Sequence, residues 1–148
     1  MSRPQTLAEA AAISLAGDKP FGHAVDELLD EFYLRPDLRQ ARIDDAPVST
    51  GDALRDAWLG AVGEHLARRW GLQVPTWTDR PQHFRMTAPR FFPPSPALRG
   101  YLYFESPLAF RRRMIFTTPE PLQRARFPRT VVRNFTPEAV RISNFAPR

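Results

Sequence analysis

Cysteine is absent from the 148 residues. That excludes a disulfide framework, thiolate metal sites and a cysteine nucleophile, and it fits a reducing compartment. Glycine is scarce and scattered, with 7 residues, and none falls in the G-x-x-x-x-G-K-[ST], G-x-G-x-x-G or G-x-S-x-G patterns that cradle phosphates or present a nucleophile. The H-E-x-x-H zinc signature is missing as well. No long hydrophobic run occurs. Residues 7–16 are small and apolar, but they contain Glu9, follow no basic run and are too short to span a bilayer, so neither a signal peptide nor a membrane helix is expected. These gaps together point to a cytoplasmic protein with no membrane association, no cofactor, no metal and no recognisable catalytic motif.

What is present is globular. Hydrophobic residues make up 43% and charged residues 25% of the chain, and 148 residues form one ordinary domain, able to bury roughly 68–70% of its unfolded surface without covalent staples. Prolines are numerous, 16 of them, which argues against long regular sheets. Charge is distributed unevenly along the chain. Residues 1–66 carry 12 acids and 6 bases, residues 67–105 carry 2 and 6, and residues 106–148 carry 2 and 9. Only Lys19 among the bases is lysine, so the excess is planar guanidinium, suited to carboxylate or phosphate and also the product of coding bias. An acidic front and a basic back can attract each other within the fold or between subunits.

Three helices are legible. Thr6-Leu7-Ala8-Glu9 has capping-box spacing and opens a helix to about Leu15, with Gly17 beyond it. After Pro20, the residues Val25, Leu28, Leu29, Phe32 and Tyr33 share one face, while Asp26, Glu27, Asp30 and Glu31 take the opposite one. Such an acid cluster suits a metal or a basic partner less well than a solvated outer face. Arg35-Pro36 stops the second helix and a turn-rich connection follows. From Thr50 to Trp70, the stripe Leu54, Trp58, Val62, Leu66 and Trp70 recurs every four residues and predicts about five turns against a core, closed by Gly71. His65 sits at the stripe's edge beside Glu64, where a lone histidine is more often packed than a ligand, and neither His23 nor His83 stands at a metal-ligand spacing from it.

Beyond Gly71, prolines at 75, 89, 93, 94 and 96 with Trp77, Phe84, Phe91 and Phe92 predict a connection wrapped over the helices, its aromatics capping the core more readily than lining a pocket. A helix from Pro96 to about Phe104 would present Leu98, Leu102 and aromatic neighbours. Ser106-Pro107 reads as an N-cap with a proline at the first helical position, opening a short helix to Arg113. Thr118-Pro119-Glu120 and Thr136-Pro137-Glu138 repeat that start signal. Pro128, Pro137 and Pro147 interrupt a segment without period, so residues 127–148 read as an extended basic arm after a single helical domain over 1–126. The expected class is mainly α: a small helical bundle with a proline- and aromatic-rich wrapping connection and a C-terminal arm.

The succession of Asp30-Glu31-Phe32-Tyr33, the helix ending EHLARRWGL, Val74-Pro75-Thr76-Trp77, the unit from Pro81 to Phe84, Phe91-Phe92 and the close from Glu105 to Phe116 resembles a poorly characterised bacterial domain. That domain follows XRE-type helix-turn-helix modules in some regulators, several of them beside nucleotidyltransferase-like genes in toxin–antitoxin-style pairs. The resemblance covers roughly residues 22–126 and implies a protein-binding, antitoxin-like or regulatory role with a toxin-like protein as partner. Only about twenty residues precede Phe21, too few for a DNA-reading module of several helices, so repressor-type recognition is not implied.

The residue pattern makes Arg111, Arg112 and Arg113, with Arg124, Arg126, Arg129 and Arg133, the candidate contacts, since arginine is enriched in interface hot spots. The alternative for the triplet is a helix C-terminus stabilised by cations and partly paired with the acidic half. The competing function is nucleic-acid binding. Residues 106–148 combine nine arginines with Phe110, Phe116, Phe127, Phe135 and Phe145, the combination that grips unpaired bases. Self-association stays open, and an enzyme ranks third.

Overall fold

The computed structural model describes residues 2–127, and the chain is mainly helical. Helix α1 runs Leu7–Leu15, with the Thr6 hydroxyl accepting from the Glu9 amide at 3.1 Å. The Glu9 carboxylate reaches one residue further back than a capping box requires and takes the Gln5 amide at 2.7 Å. Leu7, Ala10 and Ala11 are buried against α2, Phe21–Leu34, which turns Ala24, Val25, Leu28, Leu29, Phe32 and Tyr33 inward at helical spacing.

The connection after α2 is more ordered than the proline-marked sequence suggests. A 3-10 turn at Pro36–Leu38 leads into α3, Arg39–Asp44. Tertiary burial makes up for the short length of α3: Ile43 is in the core, and Arg42 donates to the Gln5 carbonyl at 2.8 Å, clipping α3 to the entry of α1.

The long helix α4, Ala53–Arg69, is central rather than amphipathic. Asp52 caps it by accepting from Arg55 N at 3.0 Å, and the Asp56 carboxylate closes the preceding turn onto Ser49 and Thr50. Every residue from Asp56 to Ala67 except Trp58 is buried. The expected stripe is present, but Leu54, Trp58 and Trp70 are only partly buried. Neighbours therefore cover the remaining faces of α4, polar Glu64 and His65 included. At its end the Leu72 amide bonds to the Ala67 carbonyl at 2.8 Å while Gly71 takes φ +72°, a Schellman closure.

Two 3-10 turns, Thr76–Asp79 and Pro81–Phe84, lie against α4 where Gly60 and Gly63 remove side chains. A Cβ on Gly60 would stand 2.7 Å from the His83 Cβ, and one on Gly63 would stand 2.7 Å from the Trp77 ring. The wrapping connection can approach the helix only over these two glycines. Trp77 is anchored by its indole N–H to the Ile43 carbonyl at 2.9 Å.

Strand β1, Arg90–Phe91, pairs in parallel with β2, Ile115–Phe116. Between them a 3-10 turn at Pro96–Leu98 leads into α5, Arg99–Glu105, and then α6, Leu108–Arg111. Ser106 is not the expected N-cap, because α6 starts after Pro107 and the Ser106 hydroxyl is used elsewhere. It donates to the Leu102 carbonyl at 2.5 Å and accepts from the Thr117 amide at 2.7 Å, fastening the end of α5 to β2.

Thr118-Pro119-Glu120 opens no helix within the described residues; Glu120 instead pairs with Arg69 at 3.0 Å. Phe127, expected to begin the arm, is buried with its ring edge-on to Tyr33 and Trp70, each at 5.4 Å. The packed part of the chain therefore includes Phe127. The rest of the arm and Thr136-Pro137 lie outside the described residues.

Trp58 packs edge-on to Phe92 at 5.4 Å and Phe110 at 5.1 Å but keeps part of its ring in solvent. Trp58→Ala should cost about 2–3 kcal/mol, below the range for a fully enclosed ring. Urea melts of both proteins measure it, and a loss under about 0.5 kcal/mol would remove Trp58 from the packing that joins α4 to α6.

Candidate protein-binding face

The arginine triplet divides three ways. Arg113 is fully buried, donating to Glu64 Oε1 at 2.7 Å, the Ala109 carbonyl at 2.6 Å and the Thr78 carbonyl at 2.7 Å. Arg112 bridges Glu64 at 3.1 Å and Asp79 at 3.1 Å while lying over the Phe84 ring. Arg68 adds a third guanidinium to Glu64 at 2.8 Å. Arg111 alone of the three is exposed and free of ion pairs among the described residues, its guanidinium 3.5 Å from the Tyr103 and Phe104 carbonyls at the end of α5. The triplet is therefore not one surface. Arg113, and Arg112 in large part, pair with the acidic half of the chain.

Burial by itself would raise the Glu64 carboxyl, but the hydrogen bonds from Arg113 and Arg68 outweigh it and hold the group below the usual range. Burial pushes the Arg113 guanidinium down, against the opposing pull of Glu64. The Glu64–Arg113 pair at the centre is enclosed, while Arg68 and Arg112 approach it from the surface. It ties α4 to α6 and to the turn at Thr76–Asp79.

Of the remaining candidates, Arg124 is engaged by Asp30 at 3.0 Å and Asp26 at 3.4 Å, so part of the acid cluster on α2 is a docking strip for the protein's own basic half. Arg126 is exposed without an ion pair among the described residues. Arg129 and Arg133 lie outside the described residues. The histidines are dispersed: His23 pairs with Glu27 at the surface, His65 stands edge-on to Phe110, and His83 is buried with Nδ1–H donating to the Asp56 carbonyl at 2.6 Å. Among the described residues no three histidine or carboxylate side chains are disposed to hold a metal.

Among the described residues the most open apolar surface is α5. Of its seven residues only Leu102 is buried, while Tyr101 is 51%, Tyr103 52% and Phe104 74% exposed. Leu98, Tyr101 and Phe104 recur every three residues along one side, and Leu98 is also exposed. Behind them Tyr103 stacks on Phe116 at 5.2 Å, Phe116 on Phe91 at 5.0 Å, and Arg99 covers Phe91 at 5.3 Å. This column makes the face rigid. Arg90, Arg99 and Arg111 surround it without ion pairs among the described residues, with Glu105 the acid on the helix itself.

Tyr101, Tyr103, Phe104, Arg90 and Arg99 were not among the contacts read from the sequence. No local signal marked them: Leu98 and Leu102 read alike in the sequence, and that Leu102 alone turns inward is set by packing.

No family model matches the chain, and comparisons with curated proteins and with solved structures returned no match. Among the described residues no helix is long and apolar enough to cross a membrane.

Proposed function

We propose that the protein is a non-enzymatic protein-binding module whose contact face is α5 with Arg111 and Arg99 at its edge. The exposure of Tyr101, Tyr103 and Phe104 on a helix that buries only Leu102 carries this reading. Exposed aromatic and arginine side chains on a rigid backing are the composition of interface hot spots, and their display to solvent costs solubility unless a partner covers them. The antitoxin-like or regulatory character of the module, a cytoplasmic setting and a toxin-like partner rest on the sequence resemblance.

Nucleic-acid binding is the second reading, favoured by the same pairing of rings with arginine. Against it, Arg112, Arg113 and Arg124 are held by the protein's own carboxylates, so fewer cations remain to track a backbone.

One pair of measurements separates the two. Immobilised protein should retain a partner from the source cell. With that partner purified, Phe104→Ser should weaken binding by about 30-fold or more while leaving the melting transition unchanged, as for a central hot spot. Single-stranded RNA or DNA of mixed sequence should give no saturable anisotropy change. Salt-dependent binding of the strand, with a slope that becomes shallower by about 0.7 in Arg111→Gln, together with no loss of protein partner in Phe104→Ser, would replace the first reading by the second.

A further inference from the structure

Between α2, α4 and the segment 117–127 lies a groove of about 500 Å³ lined by Val25, Leu29, Leu54, Trp58, Phe92 and Leu122. Val25, Leu29 and Leu122 form its buried floor, and Trp58 and Phe92 meet edge-on in its wall. Two charged side chains line it, Asp26 and Arg55. The Asp26 carboxylate is engaged by Arg124 at 3.4 Å. Arg55 is exposed, makes no ion pair among the described residues and rests over the Phe21 ring at 5.5 Å. The uncompensated charge at the groove is thus positive and its interior apolar.

We infer that this groove binds a small anionic amphiphile, a medium-length hydrocarbon chain with a carboxylate head. The tail lies on Val25, Leu29 and Leu122 under the Trp58 ring, and the head pairs with Arg55. The volume falls in the range of small-molecule sites, whereas a partner's amphipathic helix needs a trough several turns long. The inference is independent of the α5 face, because the lining of the groove includes none of the residues of α5.

The experiment titrates the full chain with decanoate, decanol and decyltrimethylammonium below their aggregation concentrations, by calorimetry and by tryptophan fluorescence. Decanoate should bind saturably at one per chain, about fivefold or more tighter than decanol, with the ammonium weakest. Octanoate should bind about fifteenfold more weakly than decanoate, through the loss of two methylenes. Arg55→Gln, a surface change, should bring decanoate to the level of decanol and leave decanol unaffected. Trp58→Phe should abolish the fluorescence change, while calorimetry still shows one decanoate per chain, bound more weakly through the loss of ring contact.

The inference is overturned by any of four results: no saturable binding; equal affinity for the three head groups; a fluorescence change that persists in Trp58→Phe; or decanoate affinity that falls as protein concentration rises, which would mean that the groove is filled by a second copy of the chain.

Discussion

Arg113→Met should destabilise the fold by about 3–5 kcal/mol, because it leaves Glu64 buried with one of its three guanidinium partners gone and strips the Thr78 and Ala109 carbonyls of a shared donor. The pair is enclosed: the two side chains are 0% and 1% exposed, and Arg113 Nη1 lies 2.7 Å from Glu64 Oε1. Removing a partner from such a pair costs far more than the pair adds relative to apolar residues of the same shape. The double change Arg113→Met with Glu64→Leu should therefore recover a substantial part of the loss, limited by the two carbonyls that remain unpaired and by Arg112 and Arg68, which lose their common acid. Urea melts of wild type, both single variants and the double variant close the cycle. A single-variant loss below about 1 kcal/mol, or strict additivity of the two changes, would show that Glu64 and Arg113 do not act as a unit.

Acid should weaken the protein from about pH 6.5 downward. Burial, aided by the nearby Arg69 charge, pushes His65 from 6.5 down to about 4. Above pH 6.5 the ring is neutral in both states. Between pH 6.5 and about 4 the unfolded chain takes up a proton that the folded chain refuses, so stability falls with pH across that window, by about 3 kcal/mol in all. His83 is lowered by burial in the same direction. Glu64, held below 4.5, contributes stability that is present above that value and is lost below it as the carboxylate protonates. Denaturant melts at intervals from pH 7.5 to 4 should show the decline, and His65→Leu should flatten it over the upper part of the window. An unchanged slope in His65→Leu would mean that the imidazole charges as freely in the fold as in water.

Helices α1, α2 and α4 were legible because their signals are local. Thr6 and Asp52 bond within their own first turns, and the inward residues of α2 repeat at three and four. A six-residue helix such as α3 has no such signal, since Ile43 and Arg42 owe their positions to Trp77 and Gln5, each more than thirty residues away. The Ser106-Pro107 start signal misplaced the cap for a related reason. Thr117, eleven residues on, competes for the Ser106 hydroxyl and wins.

The candidate site was legible in type and not in place. Arginine and aromatic residues in the second half mark a surface able to bind, yet residues 111–113 are adjacent in sequence and fall in three environments, because α6 ends there and the chain turns, with Met114 at φ +64°. Composition, periodicity and caps, all properties of neighbouring residues, determined by themselves that this chain is mainly helical and where its longest helices lie. Which charges are buried and which rings stay in solvent was decided only by tertiary structure. Gly60 and Gly63 admit the wrapping connection onto α4, that connection encloses Glu64 with Arg113, and nothing among the described residues covers Tyr101 and Phe104. Burial is a property of what arrives from elsewhere in the chain, and no local pattern encodes it.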